Sequence, residues 1–198
     1  MKNYLLEGLP AAVTVAGRPF TIFTDWRDWV RFASMLSDRD LTQEELIEGM
    51  LAWYSGDVPG DISAAVQALA WFYRAGDGNK EGGGSGKTGA VRRKAGVQAR
   101  GAPPCFDYAF DAPYLFAAFR ECYGMDLLRV PYLHWWEFRW LFNGLPEDCA
   151  LMKRIAIRAT DLNQIKLKEE RARIRKQQRA IAIPQRLTDG EIGAVFAL

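Results

Sequence analysis

One interruption constrains what this chain can fold into. Between residues 76 and 104 it reads GDGNKEGGGSGKTGAVRRKAGVQARGAPP: nine of the protein's 18 glycines, six basic and two acidic side chains, no aromatic, no Leu and no Ile. A stretch with so little apolar surface cannot offset the backbone entropy lost on ordering. It is expected to be a flexible linker with a root-mean-square reach of about 30 Å. The chain then divides into a hairpin-and-helix part over 1–75, the linker over 76–104, a helical part over 105–183 and a tail over 184–198.

The flanking parts are built differently. The whole chain of 198 residues is 49% hydrophobic and 13% aromatic, enough to bury a core without staples. Lys and Arg number 26 against 24 Asp and Glu, so no overall field demands a polyanionic partner. The opening MKNYLLEGLPAAV lacks the apolar run of about 7–15 residues found in a secretory signal. No stretch approaches the roughly 18 apolar residues of a membrane span, so no membrane association is expected. Cys105, Cys122 and Cys149 are odd in number and widely spaced, which reads as reduced thiols. With His134 the sole histidine, a Cys/His zinc site lacks its ligands. Neither a metal nor a cofactor is expected.

Local patterns predict a mainly α chain with an N-terminal β-hairpin, and a second helical half after the Gly-rich basic linker. Val13 and Val15 alternate into an Ala16-Gly17 turn and return through Phe20 and Ile22, with Pro19 keeping that strand at an edge. Asp25 caps a helix whose Trp26, Trp29, Val30 and Ala33 recur at helical spacing. Thr42 and Glu45 form a capping box for a helix burying Leu46, Ile47, Met50, Leu51 and Tyr54. A third helix spans about 61–74, with Ile62, Val66, Leu69 and Tyr73 on one face and Gly76 as its stop. Beyond the linker, 106–110 reads as a short extended piece. Asp111 and Pro113 open a helix that Gly124 ends. Helices follow at 132–142, from Pro146 through Arg158, and over about 161–181. No repeat of solenoid length recurs.

Three motifs invite chemistry. The linker contains Gly86, Lys87 and Thr88, the tail of a phosphate-binding loop, but Glu81 stands where the first glycine should be. No strand precedes it and no strand ending in a magnesium-binding Asp follows. LHWWEFRWLF over 133–142 places Trp136 and Trp140 on one face with Leu133, and Trp135 with Arg139 on another. Burial of most of these rings is favoured, with His134 hydrogen-bonded at the helix start and one tryptophan left for an interface. KLKEERARIRKQQR over 166–179 carries seven positive and two negative charges. It lacks the aromatics that nucleic-acid binding interleaves, so nucleic acid is disfavoured and a solvated helix or an acidic protein partner is preferred. The partner-binding candidates are therefore Trp29, Trp135, Trp136, Arg139, Trp140, Arg171 and Arg175. The carboxylate pairs Glu44-Glu45 and Glu147-Asp148 are explained by the helix dipole. No catalytic residue stands out, and an enzyme is not expected.

TDWRDWVRF, WFYRAG, FDYAFDAPYLFAAFRECYGMDL, LHWWEFRWLFNGLPEDC and KRIAIR together resemble the bacteriophage gene-product-fifteen family, on both sides of the linker. The most specific pieces are the run Asp111, Tyr114, Ala118-Phe119, Tyr123-Gly124 and Asp126-Leu127, with Phe110 in place of the tyrosine before Asp111, and LHWWxFRxLFxGLPED. Family members belong to phages and prophages with long non-contractile tails. The resemblance implies a tail-assembly chaperone acting in the cytoplasm of the infected or lysogenic host. Its implied partner is the tape-measure protein, with the major tail protein and a second copy of the chain as further candidates. A structural tail component retained in the virion is the alternative. The family supplies no catalytic residue to carry over.

Overall fold

The computed structural model describes residues 3–38, 40–76 and 104–184. The linker between its end residues, the Gly86, Lys87, Thr88 motif and the tail beyond Pro184 lie outside the described residues. Within them the chain is mainly helical with one antiparallel hairpin. In order come α1 (Tyr4–Glu7), β1 (Ala12–Val15), β2 (Arg18–Thr21), α2 (Trp26–Leu36), α3 (Gln43–Leu51) and α4 (Ile62–Tyr73). Then follow α5 (Ala112–Tyr123), α6 (Trp135–Asn143), α7 (Ala150–Ala159), a 3-10 turn (Leu162–Gln164) and α8 (Lys168–Ala180). The two compact units do not follow chain order: Pro131–Trp140 belongs with the residues before 84, and the remainder forms the second unit.

In the first unit, pairing of Val15 with Arg18 leaves a two-residue loop in which Ala16 and Gly17 both have positive φ, 48° and 77°. That is a type I′ turn, whose twist suits the strands. Val13 and Val15 point inward. The return strand then stitches to the end of α3: the Phe23 N–H donates to the Trp53 carbonyl and the Ser55 N–H to the Thr21 carbonyl, each at 3.0 Å. Asp25 and Thr42 cap α2 and α3 as their positions predict, with the Thr42–Glu45 box closed in both directions, and Asp61 caps α4. The bonds from Thr42 hold the Glu45 carboxyl below its ordinary range.

The core stripes are Trp29, Phe32 and Ala33 from α2, Met50 and Tyr54 from α3 and its exit, and Ala65, Leu69 and Phe72 from α4. The α4 stripe is rotated from the expected one, leaving Ile62 exposed. Tyr54 reaches the Ala65 carbonyl through its hydroxyl at 2.9 Å, which turns that side of α4 inward, and burial pushes the phenol up to about 12. At the exit of α4, Ala75 and Gly76 take φ of 56° and 76°, and their N–H groups donate to the carbonyls of Phe72 and Trp71.

The second unit is organised by one buried ion pair. Asp111 is fully buried and meets Arg158 bidentately, Nη1 to Oδ2 at 2.6 Å and Nη2 to Oδ1 at 2.9 Å. The same guanidinium donates to the carbonyls of Cys105 at 3.1 Å and Ile181 at 2.6 Å. The capping role expected of the Asp111 side chain is therefore not played, because its carboxylate is committed to Arg158. The extended piece expected at 106–110 is a turn instead. Asp107 Oδ1 accepts from the N–H groups of Ala109 and Phe110, and its carbonyl from that of Asp111.

Pro113 lies in the first turn of α5, and Gly124, at φ 64°, ends it. Helix α7 starts after Cys149, whose Sγ accepts from the Met152 N–H, and buries Leu151 and Ile155. The single helix expected over 161–181 is broken between the 3-10 turn and α8. The Asp161 carboxylate caps Asn163, while Arg171 donates to the Ile165 carbonyl and holds that backbone out of the helix. Gln178 fixes α8 to α7 through the carbonyls of Ile157 and Thr160. The three cysteines are free thiols.

Two variants test these anchors. Arg158→Met removes the bidentate partner of the buried Asp111 carboxylate, leaving it Arg154 at 3.6 Å and the Asp107 N–H, and should cost about 3 kcal/mol in urea denaturation, part of it recovered in Asp111→Leu/Arg158→Met. Gly76→Ala adds a Cβ 2.8 Å from the Trp136 ring at a left-handed φ. It should lower stability by more than the roughly 1 kcal/mol of conformational strain alone.

Candidate functional site

Residues 133–136 bring together most of what the first unit builds. The Trp26 N–H donates to the Leu133 carbonyl at 2.9 Å and the Trp135 N–H to the Thr24 carbonyl at 2.8 Å, an antiparallel bridge between Asp25 and His134. This pairing occupies the backbone of 133 and 135, so α6 begins at Trp135 rather than at the expected 132. His134 Nδ1 accepts from the Trp136 N–H at 3.1 Å. Nε2 must then carry the proton, and it donates to the Pro10 carbonyl at 3.1 Å. Burial pulls the imidazole below its ordinary value of 6.5, against the opposing effect of the Pro10 carbonyl.

The two indoles that follow close α4. Trp135 Nε1 donates to the Tyr73 carbonyl and Trp136 Nε1 to the Phe72 carbonyl, both at 2.9 Å. The Trp135 ring stacks on Tyr73 at 5.5 Å between centroids, and Trp26 stacks on Phe138 at 4.9 Å. Trp29 lies 4.9 Å from both Phe32 and Phe72, with its own Nε1 donating to the Phe23 carbonyl at 2.8 Å.

This geometry separates the sequence candidates. Trp29, Trp135 and Trp136 are fully buried and offer a partner no surface in this fold. Arg139 is half-buried, 5.7 Å above the Trp135 ring. Trp140 is 40% exposed and leans on Trp136 at 6.4 Å, the single exposed tryptophan of that helix. Sequence reasoning missed α1. There Tyr4 packs edge-on against Trp136 at 4.9 Å while Leu5 and Leu6 stand 88% and 83% exposed. Tyr4 and Trp140 thus both lean on one indole, and the exposed Leu5 and Leu6 follow Tyr4 in α1. The available signal was the Asn3 cap, which accepts from the Leu5 N–H while Glu7 accepts from the Asn3 N–H.

In the second unit Arg171 is half-buried and committed to the Ile165 carbonyl, whereas Arg175 is exposed. Arg175 shares α8 with exposed Lys168, Arg173, Lys176 and Arg179, and none of these five enters an ion pair among the described residues. The described residues contain no group of three or more His, Cys, Asp or Glu that could hold a metal ion, and no helix long and apolar enough to cross a membrane.

A family model described as Bacteriophage Gp15 protein matches residues 5–183. No curated protein and no solved structure matches the chain.

The His134 geometry sets a pH dependence. Folding favours the neutral ring, so its contribution is complete above 6.5 and is lost as the pH falls below that value. The melting temperature should drop between about pH 7 and about pH 5.5, and His134→Gln should flatten that part of the profile; an unchanged profile in the variant would assign the drop to other groups.

Proposed function

The chain belongs to the bacteriophage Gp15 protein family, and from that premise we propose that it is a non-catalytic tail-assembly chaperone. It binds the tape-measure protein in the host cytoplasm and is displaced when tube subunits, the major tail protein among them, take its place. The observation that carries this reading is the large apolar side chains that the first unit leaves exposed, Leu5 and Leu6 on α1 and Trp140 on α6. A tape-measure protein is long, helical and apolar along one face, and such a helix docks through side chains at i, i+3, i+4 and i+7 on an apolar surface. Trp140 fits the part of a binding anchor: a large ring with one side packed on the core and the other in water. Modest affinity at each contact, summed over many copies on one client, permits both coating and release.

Co-expression with the tape-measure protein of the same phage, followed by size-exclusion of the soluble fraction, tests the reading. The tape measure should become soluble and co-elute with several copies of this protein. The triple variant Leu5→Ser/Leu6→Ser/Trp140→Ser should reduce the co-eluting amount about tenfold or more, with little change in melting temperature. An insoluble tape measure alongside a free chaperone contradicts the proposal, and recovery of the protein from purified virions would make it a tail component instead.

A further inference from the structure

Beside the buried pair of the second unit stands a second guanidinium. Arg154 lies one helical turn before Arg158 on α7, with its Nε 3.6 Å from Asp111 Oδ1, beyond hydrogen-bonding distance. That Nε is buried and makes no hydrogen bond among the described residues. Two cations therefore face one carboxylate, and Arg158 already takes both of its oxygens. That buried atom lies on the Asp111 side, so what a bound group can reach is the exposed remainder of the side chain. The side chain is also held in place: its guanidinium carbon sits 4.0 Å from the centroid of the Tyr114 ring, and it is 18% exposed. Tyr114 and Phe110, which packs under Arg158 at 5.5 Å, are themselves partly exposed.

We propose that Arg154 is the anchor for a carboxylate side chain on a bound protein segment, with Phe110 and Tyr114 as the apolar contacts beside it. The surplus positive charge selects an acidic group. The planar guanidinium, over the Tyr114 ring, has Nη groups that can donate as a fork to a carboxylate. Because the arginine is already immobilised, little side-chain entropy is lost on binding. The unpaired cations of α8 in the same unit favour the same sign of partner. The inference rests on the tape-measure reading and adds to it the chemistry of the segment recognised: apolar residues with an Asp or Glu among them.

The experiment uses the full-length protein co-expressed with the tape-measure protein, comparing wild type, Arg154→Ala and Arg154→Lys. Arg154→Ala should weaken co-elution about tenfold, with Arg154→Lys intermediate because it keeps the charge and loses the fork. The Asp111–Arg158 pair remains in both, so both should stay folded, with a fall in melting temperature well short of that of Arg158→Met. Wild-type binding that Arg154→Ala leaves within twofold overturns the inference and leaves the chaperone reading standing. A loss of binding matched by a fall in melting temperature as large as that of Arg158→Met overturns it by assigning Arg154 to the fold. Failure of the wild type to bind removes both. Self-association without the tape measure that Arg154→Ala abolishes would reassign the site to a second copy of the chain and overturn the proposal.

Discussion

Two neighbouring indoles, those of Trp135 and Trp136, donate to two neighbouring carbonyls, those of Tyr73 and Phe72, in the last turn of α4. A helix leaves its last carbonyls without intrahelical donors, and a buried indole needs an acceptor for its one N–H. Each side of this contact answers the other's requirement across more than sixty positions of sequence. The rest of the first unit is arranged around it. Gly76 approaches Trp136 too closely for any Cβ, Trp29 packs on Phe72, and His134 aims the start of α6 while reaching the Pro10 carbonyl 124 positions away. The core cannot close until residues 131–140 arrive, which makes its formation a non-local event with a loop-closure cost.

The second unit uses charge where the first uses indoles. Asp111 and Arg158 are removed from water together, and the guanidinium's remaining donors are spent on the carbonyls of Cys105 and Ile181. One side chain thereby ties the entry of the unit, the start of α5 and the exit of α8. A buried pair of this kind adds little net stability compared with apolar packing but imposes one arrangement, since breaking either half strands a charge. Arg154 is the exception in that arrangement, and its position beside two partly exposed aromatic rings is what directs attention to binding.

Local structure was legible in the sequence because its causes are local. The Ala16-Gly17 turn, the caps at Asp25 and Thr42 and the stops at Gly76 and Gly124 each depend on residues within one turn of chain, and all are found. What sequence could not show was set by partners far along the chain. The start of α6 moved to Trp135 because Leu133 and Trp135 pair with Trp26 and Thr24. The Asp111 cap was forfeited to Arg158, and the long polar helix was interrupted by bonds from Asp161 and Arg171. The aromatic cluster was read as mostly core with one ring to spare, and Trp140 is that ring. Leu5 and Leu6 went unnoticed because a four-residue helix carries no periodicity; only the Asn3–Glu7 reciprocity marks it.

The first unit is an aromatic core that keeps a few large apolar side chains, Leu5, Leu6 and Trp140 among them, at its surface. The structural claim beneath that account is that residues 131–140 are part of the first unit's core and not an accessory laid upon it. Native-state hydrogen exchange on the full chain measures this directly through the amides of Trp26 and Trp135, the two donors of the bridge. If the claim holds, both exchange with the same free energy as the α4 amides of Leu69 and Phe72, in a single cooperative opening. Exchange of the two tryptophan amides through a separate, lower-energy opening while α4 stays protected would contradict it.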